Sequence, residues 1–269
     1  MFKSIPNSDM EIKYNKKTKM DKILDRDYKD DNDKPVKVDK LPMCLPNQSF
    51  LWLLIGPPRS GKSTYIESLL TAPVKKGKRE SYIGLFEEII FFTPQISDFE
   101  NKAFDKLEHV YTELTLEHLE EVEELCQEVY DEGGNCLIVF DDMGADFRMS
   151  RAIQVKLEKM CFNHRHIGAS IFFSAQTYVS LSPAMRKSAR IMTVFAVDVT
   201  QERDAIFGDL PIKKEQHAEL YKHVFENQAD KVKCDCLGRP LRHTLYIDKS
   251  KTRQNKIVYY KDFDLIESS

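Results

Sequence analysis

GPPRSGKST, running from Gly56 to Thr64, carries the densest chemical signal in the chain. It matches GxxxxGK[ST], a loop whose glycines let backbone N–H groups curl around phosphates. The candidate nucleotide-binding residues are therefore Gly56, Pro57, Pro58, Arg59, Ser60, Gly61, Lys62, Ser63 and Thr64. Lys62 is spaced to reach the β and γ phosphates of ATP, and the Ser63 hydroxyl to bind Mg2+. A helix opening at Lys62 adds favourable dipole charge.

Two further stretches supply groups that hydrolysis would need. VFDDMG is an apolar run ending in paired aspartates, the Walker B pattern. Asp141 is the candidate Mg2+ ligand. Asp142 is the candidate acid that orients or deprotonates the attacking water. SIFFSAQTY is an apolar run ending in an amide, Gln176, which at a strand tip can sense the γ-phosphate and hold the lytic water. Walker B, helix, then a strand with a terminal Gln is the order of motor-type ATPases. Small-molecule kinases more often show an Arg-rich lid. Transition-state charge also calls for an arginine. Arg148 and Arg151 follow Walker B, Arg59 lies inside the loop and could act in cis, and Arg165, Arg186 and Arg190 lie further on. Arg165 and Arg186 are the favoured candidates for a finger supplied by a neighbouring subunit.

These residues need a scaffold, and the patterning supplies one. SFLWLLIG is a buried strand ending at the phosphate loop, and the spacing predicts a helix from Lys62 to about Leu70. Glu87–Gln95, Asn135–Asp142, Ser170–Gln176 and Arg190–Val197 read as further strands. Leu114–Tyr130 reads as an amphipathic helix with Leu116, Leu119, Val122, Leu125 and Val129 facing inward, stopped by Gly133 and Gly134. A helix from Ser150 to about Asn163 takes Ser150 as its N-cap. Helical segments near 201–207 and 213–227 precede two strand-like runs, HTLYID and NKIVYY. Alternating strands and helices imply an α/β fold with a mostly parallel sheet covered on both faces. The expected organisation is a charged N-terminal arm over 1–45, a P-loop ATPase core over 46–200, and a helical and β-hairpin extension of the same domain over 201–269.

Composition narrows the class. The 269 residues are 42% hydrophobic and 31% charged with net charge −3, so a nucleic-acid surface would have to be local rather than global. The Lys- and Asp-rich arm is nearly balanced in sign. Two local basic clusters qualify: Arg186, Lys187 and Arg190; and Arg239, Arg242, Lys249, Lys251, Arg253 and Lys256 around a hairpin. Of the six cysteines, most lie in apolar segments and read as reduced core residues; with no apolar leader, this favours a reducing intracellular compartment. No apolar run reaches the roughly 20 residues a membrane span requires. Cys234 and Cys236, with His217, His223 or His243, form only a weak zinc pattern.

GPPRSGKST, IVFDDMG and above all NHRHIGASIFFSAQTY with LSPAMRKSAR resemble the DNA-packaging ATPases of the nucleocytoplasmic large DNA viruses, the poxvirus-type packaging ATPase within the FtsK–HerA superfamily. The resemblance runs from about Phe50 to Val197. It implies a RecA-like core that assembles into a homo-oligomeric ring and translocates double-stranded DNA into a capsid, alongside a capsid or portal protein. It further implies action in the host cytoplasm at viral factories and presence in the virion. Lys62 and Ser63 match the Walker A pair, Asp141 and Asp142 the Walker B acids, and Gln176 the sensor glutamine. Many superfamily members carry Asp-Glu where this chain has Asp-Asp, which shortens the reach of Asp142. No nuclease segment is recognisable, so the expected motor pumps without cutting. A nucleotide or nucleoside kinase, an assembly protein that binds ATP without translocation, and a cellular segregation or conjugation relative remain the alternatives.

Overall fold

The computed structural model describes residues 2–5, 46, 49–71, 82–96, 99, 102, 104–143, 150–226, 243–253, 256–261 and 264–268. Its ten strands form one sheet: β1 (Phe2–Ile5), β2 (Leu51–Ile55), β3 (Glu88–Phe92), β4 (His109–Tyr111), β5 (Cys136–Phe140), β6 (Ala169–Ala175), β7 (Ile191–Phe195), β8 (Thr244–Arg253), β9 (Lys256–Lys261) and β10 (Asp264–Ser268). The order across it is β1-β10-β9-β8-β7-β2-β6-β5-β3-β4. From β4 to β7 every pairing is parallel. From β7 outward to β1 every pairing is antiparallel.

The parallel strands are continuous apolar runs because both faces are covered. Alternate residues of β2 show it. Leu51, Leu53 and Ile55 enter one core, and Trp52 and Leu54 the other. Helix α1 (Lys62–Leu70) packs Ile66 and Leu70 on the Trp52 side, with Phe86, Phe99 and Phe104. On the opposite face lie α2 (Leu116–Asp131), α3 (Arg151–Asn163), α4 (Pro183–Ser188), α5 (Thr200–Gly208) and α6 (Lys214–Tyr221). The expected α/β sandwich is therefore present, and a two-stranded hairpin, β8–β9, extends it.

Local chemistry explains some boundaries and not others. Thr115 caps α2, its hydroxyl accepting from the His118 N–H at 3.1 Å. The inward stripe of α2 differs from the periodic reading. Leu119, Val122 and Cys126 are buried, whereas Leu116 is 39% exposed because the chain enters the helix there and Leu114, before the cap, fills the core instead. Ser150 occupies the N-cap of α3 but makes no side-chain capping bond. Strand β4 and the outer strands β10 and β1 were not expected. Phe2–Ile5, read as part of a solvated arm, pairs in register with Leu265–Ser268, so this part of the arm departs from that reading. The rest of the arm, Cys234 and Cys236, and the arginines Arg148, Arg239 and Arg242 lie outside the described residues. Among the described residues, no helix is long and apolar enough to cross a membrane.

Candidate active site

The site lies at the carboxyl ends of β2, β5 and β6. Strand β6 pairs with β2 on one side and β5 on the other. Gln176 therefore emerges between the phosphate loop and the acidic pair, about one strand spacing (roughly 4.8 Å) from each. The Gly56 N–H donates to the Ala175 carbonyl at 3.1 Å, tying the first loop residue to the residue before Gln176.

The loop turns through two left-handed residues, Arg59 (φ 59°) and Gly61 (φ 99°). Gly61 suits that conformation because it has no Cβ. Gly56 is required for a different reason. A Cβ there would lie 2.7 Å from Ser60 Oγ and 2.8 Å from Phe195 Cβ. Of the nine loop residues expected to contact nucleotide, four cannot donate a backbone N–H to phosphate as the loop stands. Pro57 and Pro58 have none, Gly56 gives its own to Ala175, and Ser60 gives its own to Pro57 O at 3.2 Å. The N–H groups of Gly61, Lys62, Ser63 and Thr64, at the start of α1, have no intrahelical acceptor and form the anion-binding end.

Lys62 is buried, with Nζ donating to the Gly56 carbonyl at 2.8 Å and the Pro57 carbonyl at 3.1 Å. Burial holds its pKa below the ordinary lysine value, while Asp141 and Asp142 pull it back up. The Ser63 hydroxyl donates to Asp141 Oδ2 at 2.6 Å, so the two expected Mg2+ ligands meet. Burial raises the Asp141 pKa; the Ser63 and Ser174 hydroxyls and Lys62 oppose that rise. Asp141 Oδ1 is buried and has no hydrogen-bond partner within bonding geometry. A hydroxyl and a carboxylate, with one oxygen lone pair set unspent, are the hard donors that Mg2+ takes, so these residues fit that ion.

Asp142 is exposed and differs from its neighbour in backbone as well. Its φ of 53° puts a non-glycine residue in the left-handed region, a conformation that side chains other than Asn and Asp adopt at a cost. The Gln176 amide donates to Asp142 Oδ1 at 2.6 Å, joining the two groups expected to manage water.

The structure does not bring the two favoured arginines to this site. Arg165 lies in the turn between α3 and β6, at the opposite end of β6 from Gln176. Seven residues at about 3.3 Å each separate the two edges. Arg186 lies four residues before Arg190, whose N–H bonds Leu51 at the start of β2, so it too lies toward the far edge. Its guanidinium pairs with Asp209 at 3.0 Å and sits 4.8 Å from the Tyr178 ring centre. The sequence had no way to show this pairing, which joins two helices. The first basic cluster is thereby partly consumed. Lys249 of the second is also engaged, its Nζ donating to the Arg186 carbonyl at 3.2 Å with its pKa lowered by burial. No group of metal-binding side chains of the zinc kind occurs among the described residues.

A P-loop opening a helix, a bonded Ser63–Asp141 pair and, at the tip of the strand between them, an amide bonded to Asp142 define a P-loop ATPase with a RecA-like core. Comparison of the sequence with family models then places it more narrowly. Residues 42–233 match the model described as Poxvirus A32 protein, and the chain belongs to that family. Comparison with curated proteins finds no match. Among solved structures, the chain is similar to B204, the DNA-packaging ATPase from Sulfolobus turreted icosahedral virus. The identity is 17% and the TM-score 0.52 over 78% of this chain and 96% of that one, which shows the shared fold. B204 from Sulfolobus turreted icosahedral virus 2, in complex with ATP-gammaS, aligns at 18% identity and TM-score 0.48, covering 79% and 96% of the two chains. The pCW3 conjugation coupling protein TcpA aligns at 11% identity and TM-score 0.49, covering 80% and 61%.

Proposed function

We propose that this protein is the ATP-hydrolysing motor that moves double-stranded DNA into a viral capsid. The observation that carries the hydrolytic part is the Gln176–Asp142 bond at 2.6 Å, formed on a strand set between the loop and the acids. ATP binds with its phosphates on the loop and the N-terminus of α1. Lys62 exchanges its loop carbonyls for phosphate oxygens. Ser63 and Asp141 would hold Mg2+, which would supply positive charge against the phosphates. Gln176 and Asp142 orient one water in line with the γ-phosphorus, and Asp142 takes its proton as the bond to ADP breaks. The bond from Gln176 fixes the direction of the Asp142 carboxylate.

The packaging reading rests on family membership and on the likeness to B204, a DNA-packaging ATPase. DNA contact is assigned to the basic β8–β9 hairpin beyond Lys249, where it would be independent of sequence and sensitive to salt. The working form is a homo-oligomeric ring docked on a capsid or portal protein. Arg165, remote from its own loop, could reach a phosphate only in a neighbouring subunit. The described cysteines, Cys126, Cys136 and Cys161, are free and buried, which accords with work in the reducing host cytoplasm.

The test is ATP turnover by the purified protein with and without long double-stranded DNA, across a range of salt. Stimulation by DNA that fades as salt rises is expected. Turnover indifferent to DNA, with phosphate transferred to added nucleosides or nucleotides, would replace the motor with a kinase.

A further inference from the structure

Gln176 is followed at once by an unusual anchor. The Tyr178 N–H, two residues on, donates to Glu202 Oε2 at 2.7 Å. Tyr178 is fully buried and Glu202 is 8% exposed. A carboxylate is rarely buried unless it is bonded, and a charge-assisted bond to a backbone N–H is among the stronger kinds. Glu202 lies in the first turn of α5. The ring end of Tyr178 is fixed as well, its hydroxyl donating to Asp209 at 2.9 Å while Arg186 covers the ring. On the other side of Gln176, Ala175 accepts the Gly56 N–H. The sensor amide thus stands between two immobilised points, one set by the phosphate loop and one by Glu202.

We infer that Glu202 is a positioning residue for hydrolysis: by holding the Tyr178 backbone, it fixes the direction of Gln176 toward Asp142. This rests on the reading of Gln176 as the hydrolytic sensor. The consequence is a particular kinetic signature. Losing the tether leaves the phosphate loop, Ser63 and Asp141 in place, so nucleotide binding is kept. The water-orienting amide is displaced, and a shift of about 1 Å at such a group can cost on the order of 100-fold in rate.

The experiment compares Glu202→Met, which keeps the length and removes the acceptor, with Glu202→Gln, which keeps an acceptor oxygen. Glu202→Met is expected to lower kcat roughly 10- to 100-fold while KM and nucleotide affinity stay within about twofold. Glu202→Gln is expected to recover most of the rate. If Glu202→Met does not fold, Glu202→Asp, which withdraws the carboxylate by one methylene, must show the same loss confined to kcat. Amide exchange at Tyr178 is measured in parallel and should quicken in Glu202→Met. Wild-type kcat in Glu202→Met (or in Glu202→Asp, where Met does not fold), a loss shared equally with KM, or unchanged exchange at Tyr178 in Glu202→Met would overturn the inference. Failure of the ATPase reading is separately visible, because the wild-type protein would then show no turnover while the exchange measurement still decides the tether.

Discussion

His164 ends α3, and its protonation gives a stability prediction with a definite sign. The ring is buried; Nδ1 lies 2.8 Å from the Cys161 carbonyl, and Nε2 has no partner. Burial, aided by Arg165, Arg190 and His166, lowers its pKa from 6.5 to about 4 against the opposing Cys161 bond. In the unfolded chain the imidazole takes up a proton near pH 6.5; in the folded protein it does so only near 4. The unfolded state therefore binds more protons in that window, and stability present above pH 6.5 is lost as the pH falls to about 4. The full loss is about 3 kcal/mol at 1.36 kcal/mol per pH unit, and about 2 kcal/mol of it is gone by pH 5. The perturbation is His164→Asn, whose amide can keep a donor to the Cys161 carbonyl but cannot titrate. Urea unfolding at pH 7 and pH 5 measures both proteins. The wild type should lose about 2 kcal/mol more than the variant between those values. Parallel losses, or a His164 resonance titrating near 6.5, would refute the reasoning.

Other predictions probe the site and its support. Lys62→Ala should abolish nucleotide binding, whereas Asp142→Asn should bind normally and fail to hydrolyse; fluorescent-nucleotide titration and phosphate release separate the two. Gly56→Ala should displace the loop, because its Cβ would come within 2.7 Å of Ser60 Oγ, and nucleotide affinity measured by calorimetry should drop sharply. Thr193→Val removes the acceptor of the Trp52 indole N–H, a buried bond of 2.9 Å, and should cost about 1–3 kcal/mol in urea unfolding. Asp141, its pKa raised by burial, should lose Mg2+-dependent nucleotide binding on acidification at a higher pH than an ordinary aspartate would; binding titrations across pH check this.

The parts of the fold read most directly from sequence are those whose local pattern carries its own cause. Buried parallel strands are unbroken apolar runs, so β2, β5, β6 and β7 lie within one or two residues of expectation. Lys62, Ser63, Asp141, Asp142 and Gln176 announce themselves by spacing, and the structure brings them together. What stayed hidden depends on contacts distant in the chain. Nothing in TQERD distinguishes Glu202 from a solvated helix charge; its burial comes from packing against the segment after β6. Arg186 looked free for catalysis because Asp209, its partner, lies on the far side of β7 and α5 in sequence. Strand β1 was concealed inside a charged stretch, since an outer antiparallel strand needs no strong apolar period when one partner, β10, supplies the pairing.

The central claim, that hydrolysis at this site drives movement along DNA, is tested most directly by displacement of a third strand from a DNA triplex. The wild-type protein should release the labelled strand at a rate that depends on ATP, and Asp142→Asn should bind ATP and DNA yet release nothing. Release by Asp142→Asn at the wild-type rate, or ATP turnover by the wild type on triplex DNA with no release, would contradict the account.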